Sequence, residues 1–256
     1  MGKNKLARWR ELDSFTNVIQ PETADIAEKD HRIKGNWRQD IFKNSNPIIL
    51  ELGCGKGEYT ISLAEMFPKN NFIGVDIKGA RMWRGAKTSN ERKMANVAFL
   101  RTRIEFIDRF FSKDEVDEIW ITFPDPHPGV RNSNKRLTSP WYFSKYIKFL
   151  KNNGIIHLKT DNAELFQYTC SVIKAHNLKE LFSSDNLYSN ELNPDDIITG
   201  VSDSLSLPDE RQLFFHDILS IKTFYEKQFL AKGMKITYLA FKLNKNSLLK
   251  NVGKKA

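Results

Sequence analysis

The chain has 256 residues, a formal charge of +9 and an isoelectric point near 9.4, with only two cysteines. That length buries one substantial core, and the positive charge favours a polyanionic partner. No apolar run approaches the roughly 20 residues that cross a bilayer, and Met1–Arg10 lacks the apolar core of a secretory signal. Cys54 and Cys170 have no metal-ligand partner at a familiar spacing, so a disulfide framework or metal site is not expected and the chain reads as cytoplasmic.

Residues 1–45 are polar and basic, with scattered aromatics (Trp9, Phe15, Trp37, Phe42) and no strand pattern, which reads as an arm and a short helix. From Pro47 onward strand and helix patterns alternate, giving a main domain over residues 46–244 and a lysine-rich tail over 245–256. Strands are predicted near 47–52, 71–76, 97–102, 117–123, 154–160, 178–183 and 235–243. Helices are predicted near 57–67, 79–94, 140–151, 162–176 and 217–232. Such alternation implies a mostly parallel sheet with helices on both faces. Between Ser183 and Phe215 lies a polar loop with Pro194 and Pro208, and loops of that length are usually functional or disordered.

The first strand, Ile48-Ile49-Leu50, ends in Glu51; Gly53, Gly55 and Gly57 follow, and then a helix pattern through Ile61, Leu63, Ala64 and Phe67. That order is strand, tight turn, helix. Glycines there permit unusual backbone angles and let a ligand lie against bare main chain. The next strand ends in Asp76, suited to the two hydroxyls of a ribose. A plain structural turn would explain the glycines alone; with Asp76 the pair favours a nucleoside. The spacing Gly-x-Gly-x-Gly is not that of a dinucleotide site. The run Glu-Leu-Gly-Cys-Gly-Lys-Gly resembles motif I of the class I S-adenosylmethionine (SAM) methyltransferases. This likeness implies a Rossmann-like α/β fold with a mostly parallel seven-stranded sheet, SAM as cofactor, and a late antiparallel strand over Lys235–Phe241.

Farther on, Ile119–Thr122 leads into Phe123-Pro124-Asp125-Pro126, an acid held between prolines at a strand end. Ligands bind at the carboxyl ends of central strands in open parallel sheets, which would set Asp125 beside the glycine turn. Turn capping is the alternative for this Asp. The loop His127–Thr138 is basic, able to clamp phosphates or simply to be solvated. The strand Ile155–Thr160 ends in Asp161, a second carboxylate at the same edge, and His157 within it reads as a packed core histidine. Near the C-terminus, Thr223 and Glu226 have the spacing of a capping box at the start of a helix carrying Phe224, Tyr225 and Phe229.

Glycine loop, Phe-Pro-Asp-Pro with its basic loop, Lys-Thr-Asp-Asn, and Thr-Phe-Tyr-Glu-x-x-Phe occur in order across residues 48–243. This series resembles the bacterial tRNA (guanine-N7)-methyltransferase family, which modifies nucleotide 46 in the variable loop of tRNA. The resemblance implies that Glu51, Gly53, Gly55, Gly57, Asp76 and Asp125 build the SAM site, with Asp125 in the catalytic motif. It implies that Asp161, Thr223, Phe224, Tyr225 and Glu226 hold the guanine, and that Arg131, Lys135 and Arg136 contact RNA. The chain departs from the family pattern at His127 (usually Trp), Gly129 (usually Lys) and Val130 (often basic). Arg103 stands where an acid is expected, which leaves the backbone of Arg103 and Ile104 to serve the adenine edge.

Guanine N7 carries an in-plane lone pair and no proton, so its methylation needs no general base at the nucleophile. Alignment and stabilisation of the cationic product should dominate, with Asp161 or Glu226 reading the N1–H and N2–H donors and Asp125 orienting the base. Two other readings keep the fold: a SAM enzyme acting on a small molecule, and a non-catalytic RNA-binding protein on the same scaffold. Oligomeric state and the choice of tRNA are not encoded in any of these motifs.

Overall fold

A computed structural model describes residues 2–189 and 221–246. Most of the expected polar loop, the start of the last predicted helix at 217–220, and nearly all of the basic tail lie outside the described residues. The chain divides into two units: Met1–Ile121 with Ser144–Gly154, and Thr122–Phe143 with Ile155–Ala256.

In the first unit, strands β1 (Val18–Ile19), β2 (Ile48–Leu52), β3 (Asn71–Asp76), β4 (Val97–Arg101) and β5 (Val116–Thr122) lie in the order β1-β4-β3-β2-β5. All of these pairings are parallel. Every residue of β2 is buried, as expected for a central parallel strand covered on both faces. Helix α3 (Glu58–Met66) starts at left-handed Gly57, and α4 (Gly79–Glu91) follows β3. β1 extends the expected seven strands to eight among the described residues. Two residues are too few to show a period of two, so it left no pattern in the sequence.

The N-terminal segment is more ordered than an arm. Helix α1 (Gly2–Asp13) docks on α4 through Leu12, which is buried, and Glu11, which accepts from Trp83 Nε1 at 2.7 Å and Lys87 Nζ at 2.8 Å. After α2 (Thr23–Glu28), a π-helical turn over Trp37–Phe42 buries both of its terminal aromatics. Trp37 stacks on Phe111 with ring centroids 5.3 Å apart, and its indole N–H donates to the Phe110 carbonyl at 2.8 Å.

Helix α5 (Pro140–Tyr146) stops earlier than the predicted 151, because β6 (Leu150–Thr160) has already begun. The Phe149 carbonyl accepts from Val116 N at 3.1 Å, and within β6 Asn153 takes a left-handed φ of 61°. β6 passes from the first unit into the second. There it neighbours β8 (Thr237–Leu243), and β7 (Lys179–Ser184) pairs with β8 antiparallel. Helix α6 (Ala163–Ala175) is capped by Asn162, whose side chain accepts from Leu165 N at 2.8 Å. The last described helix is α7 (Phe224–Ala231). His157 is a core residue of this unit, with Nδ1 2.7 Å from the Tyr238 hydroxyl. Among the described residues no helix is long and apolar enough to cross a membrane.

Candidate active site

The first unit contains the glycine turn. Gly53 and Gly55 have φ of 81° and 55°, and a Cβ built on either meets nothing within 4 Å, so bare backbone faces open space. Left-handed geometry together with that opening is where glycine is required. Gly57 differs: a Cβ there would come within 2.7 Å of the Phe99 ring. Gly74 and Gly85 meet the same ring at 2.8 Å, so Phe99 occupies a socket left by three missing side chains.

Asp76, at the end of β3, organises the turn: Oδ2 accepts from Gly55 N at 2.9 Å and Oδ1 from Lys78 N at 2.7 Å. A carboxylate has about four lone-pair sites, so acceptor capacity for two ribose hydroxyls remains. Ile77 beside it is exposed. Glu51 is buried, and its Oε2 accepts from Thr60 N at 2.8 Å and from the Thr60 hydroxyl. Those bonds fix the first turn of α3 to the end of β2, so part of this carboxylate serves the scaffold of the turn. Cys54 is buried beside Glu51 and Asp76; burial first and those charges second push its thiol well above the ordinary value, so it is an inert wall. Arg103 is exposed and pairs with Glu105 at 3.0 Å, while Ile104 opens a 3-10 helix over Ile104–Arg109. The Ile104 amide therefore stands at a helix start, where the helix itself supplies no acceptor.

The second unit contains the remaining motifs. Asp125 is exposed, on a loop without regular structure. Phe123 N donates to the Lys159 carbonyl at 2.8 Å, and Phe123 and His127 both have left-handed φ, 48° and 45°. Asp161, at the end of β6, is partly buried, and burial raises its carboxyl above the ordinary 3.8. Arg131 and Lys135 are exposed on a 3-10 turn over Val130–Lys135. Arg136 is not exposed with them: it is 4% accessible and its guanidinium is held inside the unit.

Thr223 and Glu226 form a reciprocal capping box, with Thr223 Oγ1 accepting from Glu226 N at 3.3 Å and Glu226 Oε2 from Thr223 N at 3.4 Å. Glu226 is fully buried, and its Oε1 meets Lys159 Nζ at 2.8 Å and the Tyr188 hydroxyl at 2.5 Å. Its carboxylate is thus committed to protein partners, whereas the half-exposed Phe224 and Tyr225 stand at the surface of the same turn. Of the two acids expected to read guanine, only Asp161 has solvent access. Motif reading included Lys159 in Lys-Thr-Asp-Asn without assigning it a role, and it missed Tyr188. A lysine alternating with His157 in an otherwise apolar strand was the available signal for the first, whereas nothing local marks the second.

The family described as "Putative methyltransferase" matches this chain over residues 45–237. Solved structures of like fold include the 16S rRNA methyltransferase KamB, with TM-score 0.56, 12% identity, and coverage of 85% of this chain and 95% of that one. An antibiotic-related methyltransferase gives TM-score 0.54 and 16% identity over 84% of this chain and 96% of the other. At those identities the likeness is one of fold. Fold and family together define a class I SAM-dependent methyltransferase. Among relatives, the tRNA (guanine-N(7)-)-methyltransferase of Bacteroides fragilis (strain YCH46) is 46% identical, covering 95% of this chain and 87% of its own. That of Christiangramia forsetii is 44% identical over 94% of this chain and 98% of its own. This chain belongs to the tRNA (guanine-N7)-methyltransferase family.

Proposed function

We propose that this protein transfers a methyl group from SAM to N7 of a guanine in tRNA, at nucleotide 46 of the variable loop, yielding 7-methylguanosine. The observation that carries this reading is the 46% identity with a tRNA (guanine-N(7)-)-methyltransferase across 95% of the chain. The +9 charge suits an RNA partner and leaves a small-molecule substrate with nothing to match it. A tRNA substrate also fits a cytoplasmic enzyme.

The residues of the glycine turn fit SAM. Open backbone at Gly53 and Gly55 accepts a close ligand, Asp76 has acceptor capacity for ribose, and the amide at Ile104 suits an adenine edge. When bound, SAM supplies an electrophilic methyl on its sulfonium. The protein's own residues then need only orient the base, since N7 has no proton to lose. Asp161 accepts from N1–H and N2–H of guanine, a match for an ionised carboxylate. Asp125 orients the base and offsets the positive charge that grows on it. Phe224 and Tyr225 offer exposed aromatic faces for a base drawn out of its stack. Glu226 serves the same end indirectly, by holding the turn that carries them.

The test is incubation of the full chain with methyl-labelled SAM and unmodified tRNA transcripts, followed by nucleoside analysis. Labelled 7-methylguanosine that disappears when the variable-loop guanine is replaced is the expected result. Label that persists after replacement moves the site elsewhere in tRNA. SAM binding without any label on RNA overturns the assignment in favour of a small-molecule or non-catalytic reading.

A further inference from the structure

The segment carrying Asp125 has little of its own to hold it in place. It has no regular structure, and three of its residues, Phe123, His127 and Gly129, take left-handed φ of 48°, 45° and 82°. Two of these are not glycines, so the conformation persists only because its surroundings impose it. On the N-terminal side of Asp125 the anchor is Phe123 N, bonded to the Lys159 carbonyl. On the C-terminal side the anchor is Arg136. Its Nε donates to the carbonyls of Pro126 at 3.1 Å and His127 at 3.2 Å, the two residues after Asp125.

Arg136 is itself held from α6. A terminal guanidinium nitrogen meets Glu164 Oε1 at 2.5 Å, and the guanidinium carbon lies 4.4 Å from the centre of the Tyr168 ring. Glu164 and Tyr168 are one helical turn apart, so they present a carboxylate and a ring face on one side of α6. The Arg136 side chain is 5% accessible, against 58% for Glu164. Forked donors, a flat face for stacking and a fixed charge are all in use, a set of contacts lysine cannot reproduce. Arg131 and Lys135 are exposed and have the ordinary disposition of phosphate contacts.

We propose that Arg136 is a positioning residue: it fixes the Asp125 loop to α6 and does not contact RNA. This rests on the reading of Asp125 as the acid that orients the guanine. Guanine alignment in that reading depends on where the carboxylate stands, and the carboxylate stands where the carbonyls of residues 126 and 127 are tied.

Initial rates of tRNA methylation by the full chain, measured against tRNA and SAM at several salt concentrations, separate the alternatives. Arg136→Lys keeps the charge and loses the fork. Its expected effect is a fall in kcat of about a hundredfold, with tRNA KM and the salt slope of binding unchanged. Glu164→Gln, which removes one exposed partner and leaves the carbonyl bonds in place, should lower kcat by a smaller factor with the same unchanged slope. It carries the test if the Arg136 variant melts early. Arg131→Gln and Lys135→Gln should instead raise tRNA KM and flatten the salt slope by about one each. Wild-type kcat in Arg136→Lys, or an Arg136→Gln variant whose salt slope falls by about one with kcat retained, overturns the proposal. Asp125→Asn in the same assay tests the underlying reading by itself: if it retains full kcat, the role of Asp125 fails whatever Arg136 does.

Discussion

Lys159 Nζ and Glu226 Oε1 meet at 2.8 Å with both side chains fully buried, joining the end of β6 to the first turn of α7. Burial pulls the Lys159 ammonium below its ordinary pKa, and the Glu226 charge works against that pull. Both groups have further partners: Lys159 also donates to the Ile221 carbonyl at 3.0 Å, and Glu226 takes the Tyr188 hydroxyl and the Thr223 amide. Burial and the neighbouring carboxylate together raise the Tyr188 phenol far above its usual range, so it stays a donor.

Removing either partner should therefore be severe. Glu226→Gln or Lys159→Met leaves the other charge buried without its counter-ion, at a cost of about 3–5 kcal/mol. Urea denaturation of the variants would show this as a lowered midpoint. The double variant Lys159→Met, Glu226→Leu should recover much of the loss. A double variant as unstable as the sum of the singles would show that hydrogen bonds to Ile221 and Thr223, not the charges, dominate.

With Asp161 reading the guanine edge as proposed, activity should depend on pH on its acid side. Only the ionised carboxylate accepts both guanine donors, and burial raises this pKa above 3.8, so methylation should decline at higher pH than an ordinary aspartate would impose. The sign for stability is opposite. A raised folded-state pKa contributes stability below the unfolded value that is lost as pH rises through the folded one. Values of kcat/KM for tRNA measured across the acid range would locate the limb. Asp161→Asn should abolish that limb and lower kcat/KM by about 10–100-fold, the worth of a charged hydrogen bond.

The glycines of the turn should separate by function. Alanine at Gly53 or Gly55 meets no neighbour but must adopt positive φ, costing about 1–3 kcal/mol locally, and its methyl projects where a ligand would lie. Titration calorimetry should show SAM affinity lost with the fold retained. Gly57→Ala should lower the melting temperature first, because its Cβ meets the Phe99 ring. Equal effects on binding and melting at all three positions would refute the division.

Cations on α1 offer a separate test of the RNA reading. Lys5 and Arg10 are exposed, and Lys5 lies 5.8 Å from the centre of the partly exposed Trp9 ring. Lys5→Gln with Arg10→Gln should flatten the dependence of log K on log salt by about two and leave SAM affinity intact. An unchanged slope would remove α1 from the RNA contact.

The parts of this protein that sequence made legible are those with a short-range signature. The apolar run into Glu51, the alternate glycines and the acid at Asp76 each follow from a local rule, and β2, β3 and α3 stand where the periodicity places them. The capping box at Thr223 and Glu226 and the core position of His157 were likewise readable. Side-chain destination was not. Arg131, Lys135 and Arg136 look alike in a basic loop, yet Arg136 is buried because Glu164 and Tyr168, in a later helix, receive it. Glu226 resembles a substrate acceptor until Lys159 and Tyr188 are known to occupy it. Long-range partners decided both cases, and neither partner has a local pattern that names its mate. α1 was concealed differently: its charge resembles that of an arm, and the anchor that fixes it, Glu11 on Trp83, lies in another helix.

Phe99 and the three glycines around it behave as one volume shared by four positions. Because Gly57, Gly74 and Gly85 each give up a side chain to the same ring, change there must come in matched steps. A methyl gained at Gly57 requires atoms given up at residue 99, whereas one at Gly74 also meets Thr60 Oγ1 at 2.9 Å and one at Gly85 the Lys56 carbonyl at 2.7 Å, so a smaller residue at 99 makes room most directly at Gly57. Engineering of the glycine turn is therefore a joint choice over α3, α4, β3 and β4, with Phe99 as the variable that must move first.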